Sequence, residues 1–137
     1  MFAWGFNNSG QLGDGTSISK SSPVQIGIGS INSPVQVGTS SWVQVSAGDG
    51  QSFAVRTDRI LFGWGNNQLG QVGDGTTVVK SSPTQIGTSN WNLVSAGLNY
   101  SIAIRSGGGL FGWGQATNGQ LGIASTVNRS SPVQIGT

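Results

Sequence analysis

The sequence predicts an all-β chain of β-propeller blades, each with about four antiparallel strands. Two observations carry this: an internal repeat of 49 residues, and short runs of β-branched and aromatic residues within it, bounded by turn residues. A third supports it, since no segment shows a sustained 3.6-residue apolar period with helix caps.

The repeat is read by laying the chain against itself. Trp4, Trp64 and Trp113 align, as do Gly10, Gly70 and Gly119, and Pro23, Pro83 and Pro132, at spacings of 60 and then 49. A second set, Trp42 with Trp91, Ser52 with Ser101, Ala54 with Ala103 and Arg56 with Arg105, repeats at 49. The excess of 11 in the first spacing matches a local echo, SPVQIG at 22–27 recurring as SPVQVG at 33–38. The chain therefore divides into a partial unit at 1–38 that contains an 11-residue duplication, and full units at 39–87 and 88–137. About two and a half units make an incomplete propeller.

Within a unit the strands follow in order. WVQVSAG and WNLVSAG form the first, SFAVR and SIAIR the second, ILFGWG and LFGWG the third, and SPTQIG and SPVQIG the fourth. Thr57-Asp58-Arg59 and Gly107-Gly108-Gly109 turn the second run into the third, and Asp14-Gly15 and Asp74-Gly75 favour turns with positive φ.

Composition limits the chemistry. Of 137 residues 24 are Gly and only 7% are charged, with six Lys or Arg against four Asp and no His, Cys or Glu. General acid–base and nucleophilic catalysis lack their usual side chains, so no catalytic, cofactor-binding or metal-binding residue is assigned. A net charge of +2 spread thinly along the chain gives no basic block for nucleic acid. No apolar stretch approaches the length of a membrane span, and MFAWGFNNSG lacks the basic start and apolar run of a signal peptide.

Trp-Gly followed by Gly-Gln-Leu-Gly resembles the regulator of chromosome condensation repeat. Here it reads Trp4-Gly5 with Gly10-Gln11-Leu12-Gly13, Trp64-Gly65 with Gly70-Gln71-Val72-Gly73, and Trp113-Gly114 with Gly119-Gln120-Leu121-Gly122. The surrounding order of SAG, Ser-x-Ala, LFGWG, Asn-x-x-Gly-Gln-Leu-Gly-Asp-Gly-Thr and Ser-Pro-x-x-Ile extends the match over nearly the whole chain. The third copy departs from it, with Ile123-Ala124-Ser125 in place of Asp-Gly-Thr, so its loop need not share the turn of the others. The resemblance implies a seven-bladed propeller, which two and a half units do not build alone. Either the chain is a window from a longer repeat protein, or its missing half-blade comes from the duplicated segment or from a partner.

The recurring Trp4, Trp64 and Trp113, with Phe62 and Phe111, are expected to pack between blades as structural core. Trp42 and Trp91 begin strands after loops; packing is the plain reading for them too, but they are the better surface candidates. Lys20, Lys80 and Arg129 share one repeat position, and Arg56 and Arg105 another. Each set is either an arc that steers an acidic partner or simply solvated charge. Asp14 and Asp74 stand alone among glycines and read as turn residues. The G-x-G-x-x-G at Gly107, Gly109 and Gly112 precedes a strand and is discarded.

These readings point to a non-catalytic interaction or assembly module that binds other protein chains or a surface glycan, with no nucleic-acid or membrane partner. Composition associates it with phage virions or bacterial surfaces. The resemblance implies an alternative, nucleotide exchange on a small GTPase with chromatin binding. A plant ultraviolet-B photoreceptor is similar, but it clusters Trp with Arg, whereas Trp64 and Trp113 are each followed by Gly and an uncharged residue.

Overall fold

The computed structural model describes residues 2–12, 14–25 and 37–136. Half of the echo at 22–27 and 33–38 lies outside them, residues 26–27 and 33–36, as do Met1, Gly13 and Thr137. Nine strands follow in chain order: β1 (Phe2–Gly5), β2 (Lys20–Gln25), β3 (Trp42–Ala47), β4 (Gln51–Arg56), β5 (Ile60–Gly65), β6 (Lys80–Ala96), β7 (Tyr100–Arg105), β8 (Leu110–Gly114) and β9 (Arg129–Gln134). Each pairs antiparallel with its neighbour in sequence, except that β2 and β3 are not joined. Such up-and-down order follows from short turns between strands, with no helix to cross over the sheet.

The strands group into a half-blade, β1–β2, and two blades of four. The first blade is β3, β4, β5 and the start of β6; the second is the end of β6, β7, β8 and β9. The two blades share β6, a continuous strand of 17 residues. The sequence led us to expect two separate runs there. They merge because the connector stays bonded to its neighbour: Asn90 pairs with Ile60, and the Trp91 amide donates to the Arg59 carbonyl at 2.8 Å. Gly87, at φ +59°, supplies the bend as the strand leaves one blade for the next. The boundary placed between residues 87 and 88 thus falls inside a strand.

Short hairpins set the blade geometry. Arg59 at φ +71° and Gly108 at φ +87° take the left-handed position of the β4–β5 and β7–β8 turns, and each amide donates to the carbonyl three residues back, at 2.9 Å. The core lies between the blades: Trp64, Trp91, Trp113, Phe53, Leu61 and Ile86 are fully buried. Phe53 of one blade meets Trp113 of the next edge-on at 5.9 Å, and Trp91 meets Trp113 at 6.0 Å.

Candidate functional site

The repeated feature of this chain is the seam at which one unit grips the next. Its first component is the loop after each Trp-Gly strand. The Asn67 amide nitrogen donates to Asp74 Oδ1 at 3.0 Å and to the Thr76 and Val78 carbonyls at 3.0 and 3.1 Å, while its Oδ1 accepts the Val72 amide at 2.9 Å. Asn7 makes the same set with Asp14, Thr16, Ile18 and Leu12. Both asparagines are buried, and each side chain satisfies three main-chain groups that the loop withholds from the sheet.

The closed loop presents a carbonyl to the following unit. Gln11 O accepts both the Trp64 indole and the Ser52 hydroxyl, and Gln71 O accepts the Trp113 indole and the Ser101 hydroxyl, each at 3.0 Å in the second case. Backbones approach closely there: a Cβ on Gly10 would stand 2.8 Å from Ser81 Cα, and one on Gly70 would stand 2.6 Å from Ser130 Cα. Nearer the start of the first blade, Gln44 brackets the main chain of Val94, donating to its carbonyl at 2.7 Å and accepting its amide at 3.0 Å. Ser46 Oγ accepts the Ala96 amide at 2.9 Å, and Gln51 donates to the Gly97 carbonyl at 2.8 Å. Uncharged side chains thus carry the seam, and each bond crosses from one unit to the next.

Against this geometry, Trp64, Trp113 and Phe111 are buried in the seams and Phe62 is half-buried against Trp42 at 5.4 Å. Trp4 departs from its expected core role and is 59% exposed. Its equivalents are buried by the loop of the preceding unit, and among the described residues no such loop precedes Trp4. Trp91, the surface candidate, is only 1% exposed, wedged between Phe111 at 5.5 Å and Trp113. Trp42 is half-buried, its indole donating to the Val37 carbonyl at 3.1 Å.

The basic arc does not form as a free surface. Lys20 lies 3.6 Å from Asp14 and Lys80 lies 2.8 Å from Asp74, with both carboxylates nearly buried. Burial alone would raise the Asp74 carboxyl, but the Lys80 ammonium, the Thr76 hydroxyl and amide, and Asn67 outweigh it and hold the carboxyl below its ordinary value. Asp14 is lowered in the same way: burial opposes, and the Thr16 hydroxyl and amide, Asn7 and Lys20 prevail. Arg56 pairs with Asp58 at 2.6 Å and lies 5.1 Å over the Phe62 ring; Arg105 lies 4.1 Å over Phe111. Arg129 is half-buried, and among the described residues its guanidinium reaches only Ser125 Oγ, at 3.4 Å.

The seam residues that sequence reasoning did not single out are Asn7 and Asn67, Gln11 and Gln71, Ser52 and Ser101, Ser46, Gln44 and Gln51. All but Gln44 and Gln51 recur at a repeat position in the motif. The signal was present, but polar residues in a polar chain did not stand out as buried. Among the described residues no group of three His, Cys, Asp or Glu side chains gathers that could hold a metal.

Comparison with known proteins bears on the family and the fold. The family model described as regulator of chromosome condensation (RCC1) repeat matches residues 1–55, 60–104 and 107–137, and a second model of that description matches 42–71 and 92–120. Among curated proteins, the chain is similar to human "Probable E3 ubiquitin-protein ligase HERC4", 37% identical over 73 residues, covering 53% of this chain and 6% of that protein. It is also similar to the "Ultraviolet-B receptor UVR8" of Arabidopsis thaliana, 33% identical over 78 residues, covering 57% of this chain and 16% of the other. Among solved structures, human WBSCR16 superposes with a TM-score of 0.75 at 25% identity, covering 98% of this chain and 34% of that one. Prp20p from Saccharomyces cerevisiae, whose structure was described with its binding to Gsp1p and histones, superposes at 0.80 with 18% identity, covering 99% and 34%. The chain spans about a third of those structures and a small part of the curated relatives. With the family model matched along nearly its whole length, the chain belongs to the regulator of chromosome condensation (RCC1) repeat family and folds as blades of an RCC1-type β-propeller.

Proposed function

We propose that this chain is a non-catalytic protein-interaction module whose partners are other chains carrying the same kind of blade, copies of itself included. One observation carries the reading: positions that are packed in the inner seams are exposed on the outward faces of the first and last units. At one end Trp4 is exposed; at the other Leu93 is 53% exposed and a Cβ on Gly119 would meet nothing within 4 Å, where Gly70 meets Ser130. Exposed apolar edges of this kind favour association with a matching surface. Apolar ends suit a protein better than a glycan. The lack of His, Cys and Glu supports a non-catalytic role. The charge-poor, Gly-rich composition supports placement on a virion or bacterial surface, and the nucleotide-exchange alternative rests on likeness of fold, which does not carry function.

The test is the solution mass from about 1 to 100 µM, read with tryptophan emission. The module reading expects a complex heavier than the 14.0 kDa chain, a blue shift as Trp4 is covered, and reversion to monomer in Leu93→Asp. A monodisperse monomer throughout, with no concentration-dependent shift of the emission, would overturn it.

A further inference from the structure

The third loop keeps the shape of the first two but not their charge. Its turns match: the Gly119 amide donates to the Ala116 carbonyl at 2.8 Å and the Gly122 amide to the Gly119 carbonyl at 3.0 Å, against 2.9 and 3.0 Å for the same bonds in the second loop. Ala124 takes φ +52°, the left-handed position held by Gly15 at +77° and Gly75 at +86°. Yet Ala116 stands where Asn7 and Asn67 stand, and Ile123 where Asp14 and Asp74 stand. The cation at the next shared position remains, as Arg129 in place of Lys20 and Lys80.

Arg129 is thus a half-buried cation on a scaffold from which the counter-charge has been removed. Its Nε is buried without a hydrogen-bond partner, and among the described residues no carboxylate comes within 4 Å of it. Three of the four aspartates are engaged with Lys20, Arg56 and Lys80, and Asp49 lies in the exposed β3–β4 turn. Arg105 also has a buried Nε without a partner, but its charge is met by the rings of Phe111 at 4.1 Å and Trp91 at 5.3 Å. No aromatic ring does this for Arg129 among the described residues. An unmatched, partly desolvated guanidinium is costly to keep, and its planar set of N–H donors fits two oxygens of a carboxylate.

We propose that Arg129, with the Ser125 hydroxyl beside it, binds a carboxylate side chain supplied by a partner protein. The chemistry is set by the chain's own precedent, because at both equivalent positions the group facing the cation is an aspartate. Val127, exposed two residues away, adds an apolar contact next to the acid. The source of the carboxylate rests on the interaction-module reading; the binding site itself does not.

The experiment titrates acetate into the full chain at constant ionic strength, with chloride as the balancing salt, and follows the arginine Nε–H resonances by NMR. The expected result is a saturable shift of the Arg129 signal in the millimolar range and only a linear drift for exposed Arg59. Ile123→Asp restores the internal counter-charge and is expected to weaken acetate binding at least about tenfold. Arg129→Gln, as a second variant, is expected to abolish acetate-dependent thermal stabilisation. An Arg129 signal that does not saturate, or an undiminished response in folded Ile123→Asp, overturns the proposal. Tighter binding of inorganic phosphate than of acetate overturns the carboxylate assignment. A chain that proves monomeric by light scattering removes the module reading but leaves this titration informative.

Discussion

Ala124 holds a backbone conformation that its side chain disfavours. At φ +52° its Cβ crowds the following carbonyl, while the equivalent Gly15 and Gly75 bear no such strain. Replacing Ala124 with Gly is therefore expected to stabilise the chain by about 0.5 to 1 kcal/mol, the relief of strain exceeding the added freedom of the unfolded glycine. The denaturation midpoint in urea measures it, and an unchanged or lowered midpoint would contradict the argument. Asp74 yields a second prediction at this scale. Its folded carboxyl titrates below the ordinary value of 3.8, so its contribution is fully present above that value and is lost as pH falls through the lower, folded one. Melting temperature should accordingly drop on acidification below about pH 4, and the drop should be shallower in Asp74→Asn, which lacks the titrating group from the outset. The sequence placed Asp74 in a turn; for Ala124 it left the turn open, and the structure keeps there the left-handed position of Gly15 and Gly75. The sequence did not reveal that Asp74 and Lys80 form a pair, because six positions separate them along a loop folded back on itself by bonds such as those of Asn67, which sequence spacing does not show.

The element that recurs is the Gly-Gln-Leu-Gly loop, and its glycines differ by what lies opposite them. Gly70 and Gly119 have nearly the same backbone, at φ +78° and +73°, so an alanine at either site meets the same conformational strain, about 1 kcal/mol. Only at Gly70 does the new Cβ also collide with the strand of the next blade, 2.6 Å from Ser130 Cα. Gly70→Ala should therefore lower stability clearly more than Gly119→Ala does, the excess measuring how tightly the seam holds, and equal losses would mean that the strand yields freely. When the end at Gly119 is covered in a complex, the two substitutions should converge. The strands themselves were legible in the sequence because hydrophobic runs and turn residues mark them locally. The continuity of β6 was not, since Gly87 reads as a break and the connector is kept in the sheet by pairing of Asn90 with Ile60 and of Trp91 with Arg59.

For the whole molecule, the period of 49 residues made the propeller-type repeat and the order of its strands legible, because equivalent positions in a repeat fold meet equivalent surroundings. That equivalence fails at the ends, which is why Trp4 lies exposed although its sequence context matches that of Trp64 and Trp113. If each unit is stabilised chiefly by its immediate neighbour, removing residues 1–41 should have a local effect. The Trp64 indole and the Ser52 hydroxyl would lose their shared acceptor, Gln11 O, while Trp113 and Ser101 would keep theirs on Gln71. Each lost bond at a buried site costs on the order of 1 kcal/mol, and the apolar surface of Leu12 is lost with them. Hydrogen exchange of the indole protons separates the cases. The truncated chain is expected to exchange the Trp64 proton much faster while that of Trp113 stays protected. Equal acceleration of both would mean that the two blades unfold as one unit, and that the seam couples the array over more than its nearest neighbours.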